Sequence, residues 1–151
     1  MKVLMVCLGN ICRSPLAEGI LQHKINENQL DWKVDSAGTG SWHVGNSPDP
    51  RSQEVGLKHG IDITRQRAMQ FKAHHLDKFD LIFAMDSSNY QNILKLATTP
   101  EQKEKVQLIM NMSEPGMNQG VPDPYWDDNG FENVYQMLNR ACDAIIEKYT
   151  K

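Results

Sequence analysis

Long apolar runs are missing from this chain of 151 residues: the longest, Val3 to Leu8, is six residues. A helix crossing a bilayer needs roughly 20, and this run leads into Gly9-Asn10 rather than a small-residue cleavage site. Neither membrane attachment nor a secretory leader is therefore expected. Cysteine is scarce and odd in number, three in all, which excludes a disulfide framework and suits a reducing, cytoplasmic setting. Positive charge is not in excess either: 16 Lys and Arg against 19 Asp and Glu leave a net charge of -3. A nucleic-acid binder with a broad basic face is not expected, although a local anion site remains compatible with that balance. Internal repeats, low-complexity tracts and linkers are absent, so residues 1–151 read as a single domain around one core.

What is present is an alternation of short apolar runs with amphipathic stretches. Val3–Leu8, Trp32–Ala37, Leu81–Met85 and Val106–Met110 read as strands; the first is continuous rather than alternating, as expected of a strand covered on both faces. Between and after them, helical spacing is read over Pro15–Asn26, from Pro50 or Arg51 to His59 before Gly60, in a turn near His74–Asp77, after a cap at Asp86 or Ser87, and from Phe131 to the end. The long stretch Asn111–Asn129 reads as a loop. The expected fold is α/β, a single doubly wound domain with a four-stranded parallel sheet flanked by helices on both faces. In such folds ligands sit beyond the carboxyl ends of the strands, where Cys7, Trp42, Asp86 and Asp123 would gather.

The stretch around which this organisation turns is Cys7-Leu8-Gly9-Asn10-Ile11-Cys12-Arg13-Ser14-Pro15. It runs from a strand end into a helix start, with Ser14 read as the amino-terminal cap, Pro15 as the first helical residue and Glu18 as an acid in the first turn. Loop amides and unpaired helix amides can then converge on one anion. Gly9 and Asn10 tolerate the left-handed backbone such a nest requires. The same field stabilises a thiolate at Cys7, and the Arg13 guanidinium offers a planar fork matched to two oxygens of a phosphate.

Cysteine, five residues, arginine and serine in this setting resembles the phosphate-binding loop of the low-molecular-weight protein tyrosine phosphatases. The resemblance implies a metal-independent and cofactor-free enzyme that hydrolyses phosphotyrosine and small aryl phosphates through a cysteinyl-phosphate. It implies Cys7 as nucleophile, Arg13 as the phosphate clamp, and Leu8, Gly9, Asn10, Ile11, Cys12 and Ser14 as the remaining cradle. Breaking a phenyl ester needs a proton for the departing oxygen, because phenol has a pKa near 10. Val121-Pro122-Asp123-Pro124-Tyr125-Trp126 places one carboxylate between two prolines, with aromatics just after it; it resembles the family's acid loop, which implies Asp123 as general acid and then general base. By the same resemblance Trp42 and Tyr125 wall the substrate ring, with Trp126 open to either a wall or an ordinary loop role. Asn10, Ser14 and Ser36 brace the loop together with a further residue, for which His59 and Arg65 are the positions considered. Cys12 is a redox partner that traps an oxidised Cys7 as a disulfide, or a small buried side chain, and the two are compatible.

The implied partners are phosphotyrosine proteins and an opposing tyrosine kinase, with phosphate and other oxyanions as inhibitors. Cys142 reads as core, Asp49 and Asp86 as helix caps, and His23, His43, His74 and His75 as surface residues. Rival readings are weaker. Arsenate reductases need further relay cysteines, and none lies between Cys12 and Cys142. A nucleotide-binding P-loop lacks its Gly-Lys-Ser/Thr, and a zinc site on Cys7, Cys12 and His23 lacks a fourth ligand. Protein arginine phosphatases resemble the chain but favour threonine where Ile11 stands, and a phosphate-binding module without turnover is argued against by Cys7, Arg13 and Asp123 occurring together.

Overall fold

The first apolar run becomes β1 (Lys2–Cys7), the strand on which the sheet is built. The computed structural model describes residues 1–127 and 129–151. β2 (Lys33–Gly38) pairs with one edge of β1 and β3 (Leu81–Ala84) with the other, and β4 (Val106–Leu108) adds beyond β3. All pairings are parallel, in the order β2-β1-β3-β4. The chain thus leaves β1 to one side and later returns to its other side. That reversal opens a crevice at the carboxyl end of β1, where the strand stops at Cys7.

Because side chains alternate along a strand, β1 serves two cores at once. Val3, Met5 and Cys7 pack with Leu16, Ile20 and Leu21 of α1 (Arg13–Glu27) and with Leu138, Ala141 and Cys142 of α6 (Gly130–Thr150). Leu4 and Val6 pack instead with Phe71, Leu76, Ile82 and Ile93 on the opposite face. A continuous apolar strand is what this arrangement requires. Truncating a side chain such as Leu4 or Leu16, both fully buried, removes about 2–5 kcal/mol of stability.

The other helices are α2 (Pro50–Lys58), α3 (His75–Lys78), α4 (Ser87–Leu94) and α5 (Pro100–Glu104). α2 starts where Asp49 accepts from the Arg51 amide at 2.8 Å and ends before Gly60, whose φ of +80° suits glycine. Single 3-10 turns cover Ile109–Asn111 and Pro124–Trp126.

Several sequence expectations are corrected. Ser14 does not cap α1: the helix begins at Arg13 after Cys12, two residues earlier than read, and Ser14 turns its hydroxyl toward the Cys7 sulfur instead. Glu18 is consequently beyond the first turn and faces β2. β4 is shorter than read, because at Ile109 the chain turns into a 3-10 helix. α5 was not anticipated, although Thr99 and Gln102 form a capping box and Pro100 opens the helix. His75 is buried, 3% exposed, between Phe71 and Phe79, with Nδ1 accepting from the Lys72 amide at 2.8 Å. Burial, aided by the adjacent His74 and Lys78, pushes its pKa down and keeps the ring neutral.

Candidate active site

The loop between β1 and α1 wraps around the sulfur of Cys7. The Asn10 amide donates to Sγ at 3.3 Å and the Ser14 hydroxyl lies 3.0 Å from it. Asn10 adopts a φ of +58°, the left-handed turn that folds the loop back on itself. Gly38 permits the loop's close approach to β2, since a Cβ there would stand 2.7 Å from the Leu8 carbonyl and 3.0 Å from the Asn10 amide nitrogen.

Asn10 is the bracing element, and proton bookkeeping assigns the direction of each bond. Its Nδ2 donates to Ser14 Oγ at 2.8 Å and to Ser36 Oγ at 2.9 Å, which uses both amide hydrogens. Its Oδ1 accepts from the Met69 amide at 2.8 Å. Each serine oxygen is therefore an acceptor with its own proton still to give. Ser36 gives its proton to Glu18 Oε1 at 2.7 Å, whereas Ser14 has the Cys7 sulfur at 3.0 Å and the Ala37 carbonyl at the longer 3.4 Å. The sulfur is the nearer of the two, so the network turns the Ser14 hydroxyl toward Cys7.

Glu18 takes the outer place in this network, which the sequence reading left between His59 and Arg65. His59 is occupied elsewhere, 2.9 Å from Glu132 and stacked on Tyr135 at 3.7 Å between ring centroids, while Arg65 makes none of the network's bonds among the described residues. Burial pushes the Glu18 carboxyl up to about 7, against the opposing hydrogen bond from Ser36. A signal for Glu18 existed: it stands four residues after Ser14, hence on the same helix face.

Arg13 is 2% exposed. Its Nη1 donates to Asp86 Oδ2 at 2.6 Å and to the Val121 carbonyl at 3.0 Å, and its Nη2 lies 3.8 Å from Asp123 Oδ2. Burial alone works against a charged guanidinium, but the Cys7 sulfur and then Asp86 more than offset it, holding its pKa above the ordinary value. Asp86 does cap α4, accepting from the Asn89 amide at 2.9 Å. Its other oxygen fixes the guanidinium, a second role the sequence reading did not give it. Its place just past the carboxyl end of a central strand was the available clue.

Asp123 reaches the same cavity from the opposite direction. Its Oδ1 accepts from the Tyr125 amide at 3.1 Å, which starts the Pro124–Trp126 turn. The segment is anchored upstream by the Val121 amide donating to the Met85 carbonyl at 2.7 Å. Downstream, Arg51 Nη2 donates to the Tyr125 carbonyl at 3.0 Å. A cavity of about 290 Å³ results, lined by the polar groups of Cys7, Arg13 and Asp123 and by the aromatic side chains of Trp42 and Tyr125. Leu8, Gly9, Ile11, Cys12, His43 and Trp126 complete the lining, so His43 belongs to the site and not merely to the surface. Trp42 is seated over Gly40, where a Cβ would come within 2.0 Å of the indole.

Cys12 is 5% exposed and its carbonyl accepts from Ser52 Oγ at 2.9 Å. Burial, with Asp49 and Cys7 adding to it, pushes its thiol pKa up, so it is held neutral beside Cys7. Cys142 is fully buried in α6, as expected of core, with its thiol pushed up to about 12. Among the described residues no cluster of histidine, cysteine and carboxylate has the arrangement of a metal site, and no helix is long and apolar enough to cross a membrane.

The sequence model of the low molecular weight phosphotyrosine protein phosphatase family matches residues 2–151. The chain belongs to that family. It is 43% identical to the low molecular weight phosphotyrosine protein phosphatase of Schizosaccharomyces pombe, over 91% of this chain and 89% of that protein. A crystal structure of a protein tyrosine phosphatase from Entamoeba histolytica superposes with a TM-score of 0.93 at 36% identity, covering 99% of this chain and 97% of that one. A Drosophila arginine phosphatase superposes equally well, with a TM-score of 0.93 at 37% identity over 100% and 99% of the two chains. The family membership and the parallel sheet accord with what the cysteine loop implied.

Proposed function

We propose that this family member is a protein tyrosine phosphatase, with Cys7 as nucleophile, Arg13 as phosphate clamp and Asp123 as the acid and base. One observation carries the reading: a sulfur, a tethered guanidinium and a carboxylate line one cavity together with aromatic side chains. In the first step the Cys7 thiolate attacks phosphorus. The sulfur–phosphorus bond forms, the phosphorus–oxygen bond to the ring breaks, and Asp123 in its acid form protonates the phenolate. Loop amides and Arg13 take the charge on the three phosphoryl oxygens in both steps. In the second step Asp123, now a carboxylate, removes a proton from water, whose oxygen displaces sulfur and releases phosphate. The charge on the transferred group is met by arginine and backbone dipoles, so the chemistry requires no metal.

The same cradle accepts phosphate and other oxyanions as competing inhibitors. Substrates are phosphotyrosine proteins, opposed by a tyrosine kinase, in the cytoplasm. Cys12 extends the reading to redox control. Peroxide oxidises the Cys7 thiolate to a sulfenic acid, and the Cys12 sulfur displaces its hydroxide to form a disulfide, with water released and a thiol reductant reversing the step. Mass spectrometry of peroxide-treated protein is expected to find the Cys7–Cys12 linkage; its absence, with Cys7 overoxidised instead, removes this role.

The likeness to an arginine phosphatase makes phosphoarginine the competing substrate class. Ile11, an apolar side chain lining the same cavity as Tyr125, favours an apolar ring over a charged guanidinium. Phosphotyrosine, phosphoserine and phosphoarginine peptides assayed side by side with a chelator present decide the matter. Phosphotyrosine is expected to be cleaved fastest, with no effect of the chelator. Faster cleavage of phosphoarginine overturns the assignment.

A further inference from the structure

Next to the catalytic cavity lies a second one of about 410 Å³, and the two share a wall, because Leu8 and Trp42 line both. Gln70, Asn92 and Lys95 give the second cavity its polar side chains, and Thr39 borders it. Its frame is fastened to the catalytic loop. The Thr39 amide donates to the Cys7 carbonyl at 2.9 Å and the Gly40 amide to the Leu8 carbonyl at 2.8 Å. Gln70 is held by its neighbours, since the Gly38 amide donates to the Met69 carbonyl at 2.8 Å and the Phe71 amide to the Gly38 carbonyl at 2.7 Å. Whatever binds there is fixed in register with the nucleophile.

The chemistry of the lining is one-sided. Lys95 is its single charged residue, and no carboxylate borders the cavity. Lys95 forms no ion pair among the described residues, and its Nζ donates to Asn92 Oδ1 at a long 3.5 Å. Thr39 Oγ1 lies buried behind this lining, with no hydrogen-bond partner among the described residues. A cation and two carboxamides suit a carboxylate, which accepts several hydrogen bonds at once. In an extended peptide successive residues advance about 3.3 Å, so a residue one to three positions from a phosphotyrosine seated over Cys7 passes the Leu8–Trp42 wall.

We propose that this cavity is a substrate subsite for an acidic side chain flanking the phosphorylated residue. The inference rests on the tyrosine phosphatase reading and narrows it to acidic phosphotyrosine sequences. The chain's own net charge of -3 repels acidic peptides at long range, so a preference for them has to come from a local cation.

The test compares kcat/KM on two phosphotyrosine peptides that differ only in carrying Asp and Glu, or Lys, at the flanking positions. The ratio of the two is taken within each preparation, which cancels differences in folded enzyme. The wild-type ratio is expected to favour the acidic peptide about two- to fivefold at low salt, the scale of one exposed ion pair, and to shrink as salt rises. Lys95→Gln is expected to bring the ratio toward one and Lys95→Glu to invert it. A ratio unchanged in both variants, with both peptides still cleaved, refutes the subsite while leaving the phosphatase reading standing. Failure of the wild-type protein to cleave either peptide overturns the reading beneath it.

Discussion

The polar and the aromatic lining of the catalytic cavity are built by different rules. In and behind the polar lining, Cys7, Asn10 and Arg13 are each 2% exposed and Ser14 is fully buried. Their side chains are locked by bonds from β2, from α1 and from the segment after β3. In the aromatic lining Trp42 is 72% and Trp126 87% exposed, and Tyr125 meets Trp126 edge-on at 4.8 Å. Transferring a phosphoryl group demands atoms held to within about half an ångström, whereas gripping a ring demands only apolar area. Substitutions in the polar lining should therefore cost orders of magnitude, and those in the aromatic lining small factors.

The sharpest way to break that contrast is Cys7→Ser. Hydrolysis of aryl phosphates is expected to fall by about 10³-fold or more, while phosphate still binds, since the amides and Arg13 remain. Calorimetric titration with phosphate beside a turnover assay checks both halves; turnover near the wild-type level rules out a covalent route. Asp123 stands between the two, carried by the aromatic segment but aimed at the guanidinium. Asp123→Asn is expected to slow phosphotyrosine about 10²- to 10³-fold, and an ester of a more acidic phenol far less, because that group departs without a proton. Equal losses on the two substrates would remove Asp123 from proton transfer.

The contrast also explains what could be read from the sequence. The polar lining was legible because its chemistry is local: Cys7 to Ser14 lie within one turn of chain, and an apolar strand before them and a helix after them announce the geometry. Asp123 was legible because flanking prolines single it out. What escaped is what folding brings from afar through one side-chain atom. Asp86 read as a helix cap and is one, but only the crossing of β3 beside β1 brings its second oxygen to Arg13. Glu18 reads as a first-turn acid because the start of α1 is read two residues late, and nothing local places its carboxylate against Ser36 on β2. His75 reads as a surface residue, since nothing local says that Phe71 and Phe79 close over it.

Glu18 tests how tightly the polar lining is braced. Its folded pKa of about 7 lies above the ordinary carboxylate value of 4.5, so between those two the folded state binds more protons than the unfolded chain. Stability consequently falls as pH rises from about 4.5 to about 7 and is flat in this respect beyond. The full span is on the order of 3–4 kcal/mol. In Glu18→Gln that slope is expected to disappear while the amide oxygen still accepts from Ser36, so activity at pH 6 changes by less than about tenfold. Denaturant midpoints at pH 5 and pH 7.5, for both proteins, check the sign. An unchanged slope in the variant assigns it to other groups.

The smallest effect belongs to the aromatic lining. An aromatic pair contributes about 0.5–1.5 kcal/mol, so Trp42→Ala should lower kcat/KM on aryl phosphates by about two- to twelvefold, mainly through KM. Gly40 supplies an independent route to the same loss. A methyl there would come within 2.0 Å of the indole, and Trp42, largely in solvent, has room to swing away. Gly40→Ala should then match Trp42→Ala, and the double variant should lose no more than either alone, because both remove one contact. Additive losses would mean that Gly40 acts through the backbone bond from its amide to Leu8. In that event the aromatic lining is fastened to the polar one more firmly than its exposure suggests.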